Sequence, residues 1–206
     1  CGLTEVITYS LTDPAWCLRL GLEADLSGFV CLANPMTADR THLRRHILPG
    51  LLETLRHNLR FVDRVAIFEL ARVYLPSGEQ LPEEPRRLAL LLSGPSEPGW
   101  WGDPAPRPYD FFHAKGILEA LAERMNLGPR AFAPYEGSPY QSGRAAVVSR
   151  GGTAVGTFGE LDPAGIRQME GLLRELQAGG TTIILATHLV EQGQALTQER
   201  LHLDQG

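Results

Sequence analysis

Lysine is nearly absent. Lys115 is the single lysine in a chain of 206 residues, and it sits between Ala114 and Gly116. The chain therefore holds no GxxxxGK[ST] loop, whose lysine and backbone amides cradle phosphates. Cysteine is scarce too. Cys1, Cys17 and Cys31 are odd in number and carry no CxxC spacing, which disfavours a disulfide framework or a zinc ribbon. No signal-peptide pattern precedes them, and a reducing cytoplasm is the expected setting. No apolar run is long enough to span a bilayer, so no direct membrane contact is expected. Positive charge is not in excess: a formal net charge of −5 argues against indiscriminate binding to nucleic acid, while leaving room for a local basic face. No Ser/His/Asp or Cys/His nucleophile arrangement stands out.

What is present suffices for a core. With 43% hydrophobic and 21% charged residues, a soluble globular chain of one large or two small domains is expected. It begins with Cys rather than Met, as a piece of a longer protein would. The organising stretch is Asn34 to Tyr74, which reads as an arginine-lined helical segment feeding an apolar strand. Leu48, Leu51, Leu52, Leu55 and Leu59 fall on one face of a helix, with Glu53, Arg56, His57 and Asn58 on the other. Pro49 suits the first turn, where its missing N–H costs nothing. Arg64 to Tyr74 carries apolar residues on both alternating faces, which predicts an interior strand covered on two sides.

In chain order, residues 5–11 read as a strand, 12–20 as a capped short helix and 29–33 as a strand ended by Asn34-Pro35. Residues 76–85 form a turn-rich connector leading to a second interior strand at 87–93, paired with 64–74. Residues 94–108 are an irregular proline-rich loop bearing Trp100-Trp101, read either as a partner anchor or as rings tucked on the core. A helix at 111–126 begins at the Asp110 cap and stops at Gly128-Pro129. Strands at 145–149 and 154–158 make a hairpin about Gly151-Gly152. From residue 163 the grammar changes to helix (163–179), glycine turn, strand (181–186) and helix, the rhythm of a parallel α/β unit.

Two resemblances follow, over different residues. GLTEVITYSL, NPMTADRTHLRRHILPGLLETLRHNL, VAIFELARVY, YDFFHAKGILEAL and VGTFGEL resemble, in order and spacing, the core of the bacterial phenylalanyl-tRNA synthetase β subunit. That resemblance implies an α+β fold for residues 1–161, an antiparallel sheet flanked by helices like the class II synthetase core. It implies a module without catalytic residues that docks the catalytic α subunit and helps shape the tRNA platform in a hetero-oligomer. The parent enzyme uses ATP and Mg²⁺; this chain by itself is expected to hold no cofactor or metal and to have no activity alone. Class II catalysis places an arginine just after the strand matching Val65–Tyr74, where charge-assisted bonds hold the ATP α-phosphate; Leu75 and Pro76 stand there instead. Residues 162–206 resemble the end of an ATP-binding cassette: LDPAG looks like its D-loop and GTTIILATH like the strand ending in the switch histidine. The cassette resemblance implies roles for Asp162 and His188 at a nucleotide that requires the missing phosphate loop. Together these imply a chimera joined near residue 160, with a short C-terminal α/β segment. The alternatives are a cassette ATPase fragment used in transport or a fusion-derived interaction domain.

Other candidates have two readings each. Arg40, Arg44, Arg45, Arg56, Arg60 and Arg64 form either a face contacting RNA phosphates or a partner subunit, or a solvated helix surface with local ion pairs. His42 and His46 have i, i+4 spacing on the expected helix, without the glutamate of a zinc-peptidase motif. Glu69 and Arg72 lie on opposite faces of the apolar strand, as substrate groups or as partners in core or subunit hydrogen bonds. His113 is read as a surface residue.

Overall fold

The structure is a computed structural model that describes residues 2–78, 81–97, 107–162 and, for the backbone, 183–189. The elements are β1 (Thr4–Glu5), β2 (Leu11–Thr12), α1 (Ala15–Arg19), β3 (His42–Leu43), α2 (Leu48–Asn58) and β4 (Val65–Arg72) in the first half. Then come β5 (Arg86–Ser93), α3 (Phe111–Arg124), β6 (Arg130–Pro134), β7 (Tyr140–Arg150), β8 (Thr153–Leu161) and β9 (Ile183–Leu189). Among the described residues seven strands form one sheet in the order β1-β4-β5-β9-β8-β7-β6, and β2 pairs with β3 separately. Every ladder in the large sheet is antiparallel except β1 with β4. No described helix is long and apolar enough to cross a membrane.

Strand alternation distributes the core between two layers. Odd-numbered Val65, Ile67, Ala89 and Leu91 join Leu48, Leu51, Leu52 and Leu55 of α2 in one cluster. Even-numbered Leu90 and Leu92 join Phe158, Ala146 and Val148, with Ala114 of α3, in the other. The period of two in a strand thus sends successive residues to opposite helices. Each fully buried leucine of α2 contributes about 1.5–3 kcal/mol by leaving water.

The expected helix over 48–59, the 64–74 strand paired antiparallel with 87–93, and the glycine hairpin after residue 150 are all present. In that hairpin Gly151 and Gly152 have positive φ of 55° and 83°. Several expectations are corrected. Residues 34–47 are not helical: their N–H groups go across the chain, Leu43 to the Val30 carbonyl and Arg44 to the Ser10 carbonyl, in place of i−4 partners. Of 5–11 only Glu5 and Leu11 belong to strands, and of 29–33 only Cys31 makes a bridge, to His42. β4 is interior but unevenly covered, since Leu70 on its even face is exposed. β6 was not expected. The strand expected at 181–186 runs 183–189 and pairs antiparallel on both sides, in contrast to a parallel unit. Trp100-Trp101 and the helix at 163–179 lie outside the described residues.

Candidate functional site

The most charged feature of the interior is set by a carboxylate in the middle of β4. Glu69 is 2% exposed, and an anion so placed needs partners for both oxygens. The Thr8 N–H donates to Oε1 at 3.2 Å and the Thr8 hydroxyl to Oε2 at 2.7 Å. Arg44 Nη1 lies 2.9 Å from Oε1. Arg44 is itself 5% exposed; its Nη1 also donates to Thr8 Oγ1 at 2.9 Å and its Nε to the Arg72 carbonyl at 3.1 Å. Two opposite buried charges are thereby matched, and the 8–9 segment is tied to the sheet beside β4.

A cleft of about 250 Å³ opens here, lined among others by Tyr9, Trp16, Arg40, Arg44, His46 and Glu53. The Arg40 guanidinium stacks over the Tyr9 ring at 4.3 Å, and its Nη2 is 3.7 Å from Glu53. Glu23 receives two groups, His46 Nε2 at 2.7 Å and Arg45 Nη1 at 3.2 Å. Burial pushes the His46 pKa down, outweighing the Glu23 hydrogen bond and charge that pull it up, and Arg45 and Arg87 lower it further. Nearby Cys17 is pushed up to about 12 by burial and by the Glu23 charge, with Arg45 opposing and Asp13 adding to the rise.

The arginines singled out in the sequence do not share one face. Arg44 is interior, Arg40 and Arg45 pair with carboxylates around the cleft, and Arg56 and Arg60 are exposed on and just beyond α2. Arg64 Nε donates to the Tyr109 hydroxyl at 3.0 Å. Arg72 is at the surface, 2.8 Å from Glu84. His42 lies in β3 and His46 in the turn before α2, so the expected helical pair is not formed. Asp110 does cap α3, and His113 closes the cap from the other side. Among the described residues no three His, Cys, Asp or Glu side chains cluster to hold a metal ion. Asp162 follows β8, its N–H bonded to the Pro139 carbonyl. His188 lies within β9, opposite Leu88 on one side and Gly156 on the other. Thr8 and Glu23, which the sequence did not single out, carry no motif; the one available signal was Glu69, a charge inside an apolar strand.

The sheet's outer edge at β1 is apolar where the chain continues past it. Val6 N–H still bonds to the Phe68 carbonyl at 2.9 Å, yet Ile7 is 92% and Tyr9 73% exposed. The family model described as "Phenylalanyl tRNA synthetase beta chain CLM domain" matches residues 1–170. The chain belongs to this family. The match runs past the boundary that the sequence reading places at 161. The phenylalanine–tRNA ligase beta subunit of Symbiobacterium thermophilum is 43% identical over 166 residues, covering 79% of this chain and 18% of that protein. The beta subunit of Moorella thermoacetica is 40% identical over 167 residues, covering 79% and 20%. The chain thus spans about a fifth of the length of these relatives. The pyrrolysyl-tRNA synthetase of Desulfitobacterium hafniense superposes with a TM-score of 0.66 at 14% identity, covering 96% of this chain and 64% of that one. At that identity the likeness concerns the fold, a mixed sheet-and-helix arrangement consistent with a class II synthetase-like core in this beta-chain family member.

Proposed function

We propose that this chain is a non-catalytic core of a phenylalanyl-tRNA synthetase β subunit that docks the catalytic α subunit during phenylalanyl-tRNA formation. The observation that carries this reading is the buried Glu69–Arg44–Thr8 group: both carboxylate oxygens are taken up within the chain. A charge spent on holding two segments together is a framework element. Leu75, where the family resemblance implies a phosphate-binding arginine in active relatives, exchanges two backbone hydrogen bonds with Glu83, both 2.9 Å. ATP and Mg²⁺ belong, in this reading, to the α subunit.

The docking face is the β1 edge, which is the outer edge of the sheet among the described residues and beyond which Ile7 and Tyr9 are exposed. Edge strands with exposed apolar side chains are sites of pairing with another chain. Arg56 and Arg60 contact RNA or the partner subunit, Arg40 and Arg45 shape the surface around the cleft, and Arg44 holds the interior beneath it. The working compartment is the cytoplasm. The cassette-ATPase alternative draws no support from the fold around Asp162 and His188, and no observation favours an unrelated fusion domain.

The test is the pair of substitutions Ile7→Asp and Tyr9→Asp in the full chain. They should weaken capture of a bacterial α subunit by about tenfold or more while leaving the unfolding transition in place. Unchanged capture would move the docking face elsewhere.

A further inference from the structure

Without β9 the large sheet would fall into two three-stranded groups, β1-β4-β5 and β8-β7-β6, with no ladder between them. β9 lies beyond the family-matched residues 1–170. It nevertheless pairs with β5 from Arg87 to Ser93 and with β8 from Gly156 to Glu160, antiparallel on both sides. The part of the slot beside Ile184 to Ala186 is lined by buried residues, Leu90, Leu91 and Leu92 on β5 and Phe158 on β8. α3 packs across β8 and β9. An open slot would leave two rows of backbone N–H and C=O groups unpaired next to apolar side chains, a costly arrangement away from water.

We infer that the gap between β5 and β8 is a strand-acceptor site, filled in cis by residues 183–189, and that it takes an apolar strand of this length in trans when that segment is displaced. Recognition rests on antiparallel backbone pairing from two sides and on the apolar neighbours of the slot, the mode by which extended peptides add to open sheet edges. The inference does not depend on the docking role proposed above.

Native-state hydrogen exchange on the unaltered full chain gives the first test. Amides of β9 should exchange about a hundredfold or more slower than in a free peptide and share the protection of β5 and β8, as one cooperative unit. Free-peptide rates in β9 beside a protected β5 and β8 would overturn the inference. The second test is Ala186→Pro in the full chain, since proline is excluded from an interior strand. Protection should fall in β5 and β8 and persist in the β6–β7 ladder. A synthetic peptide of residues 181–189 with two terminal lysines for solubility should restore it, and the same peptide with proline at the Ala186 position should not. Protection unchanged in Ala186→Pro, or lost and not restored by the peptide, counts against the acceptor site.

Discussion

Arg44 Nη1 and Glu69 Oε1 are 2.9 Å apart, with side chains 6% and 2% exposed, so the segment before α2 and the centre of β4 share one buried ion pair. Arg44→Met leaves Glu69 charged and unmatched and should lower the unfolding free energy by about 3–5 kcal/mol. Adding Glu69→Leu removes the stranded charge and should recover much of that loss. Denaturant unfolding of both single variants and the double variant checks this; additive losses would show that the two side chains act independently.

His46 should impose a pH dependence. Its folded-state pKa lies below the ordinary value because burial outweighs its hydrogen bond to Glu23. As pH falls, the unfolded chain therefore takes up the proton first, and the stability present above the ordinary imidazole pKa is lost towards the lower folded value. The denaturant midpoint should drop as the pH falls below the ordinary imidazole value. His46→Gln should flatten this part of the profile, and an unchanged slope would assign it to other groups.

The two described thiols should differ sharply. Cys17 is 1% exposed with a pKa near 12, raised first by burial and then by the Glu23 charge, whereas Cys31 is exposed. The thiolate is the reactive form. Alkylation at mildly alkaline pH, read by peptide mass spectrometry, should modify Cys31 in the folded chain and Cys17 only on unfolding. Equal rates would contradict the packing around α1.

Gly94 has φ of +84°, and a Cβ there would sit 1.9 Å from the Asp63 carbonyl oxygen. Gly78 has φ of +78° and open space around the same position. Both substitutions to alanine incur the left-handed backbone cost, and only Gly94→Ala adds a clash with backbone. Gly94→Ala should therefore destabilise the chain by at least about 1 kcal/mol more than Gly78→Ala, measured by denaturant unfolding.

The parts of the fold that were legible in the sequence are those where a period and a punctuation mark agree. Leucines at helical spacing behind Pro49 gave α2, and Gly151-Gly152 between alternating runs gave the β7–β8 turn. Residues 34–47 misled because their arginines, Leu43 and Ile47 mimic an amphipathic helix, while their backbone partners are Val30, Ser10, Leu32 and Tyr74, beyond the reach of a local pattern. The interior role of Arg44 required Glu69 and Thr8, 25 and 36 positions away. Glu69 itself was legible as a charge in need of a partner; which arginine would serve was not. β9 was legible as a strand, but its neighbours β5 and β8 were not, since two-sided antiparallel pairing is a property of the whole sheet.

Docking of a synthetase α subunit is the central property proposed for the chain. Sedimentation velocity of the purified full chain mixed with the α subunit of a bacterial phenylalanyl-tRNA synthetase tests this directly. A faster-moving species containing both proteins, formed in proportion to the limiting component and weakened by Ile7→Asp with Tyr9→Asp, is predicted. Two independent boundaries at micromolar concentrations of each protein would contradict it.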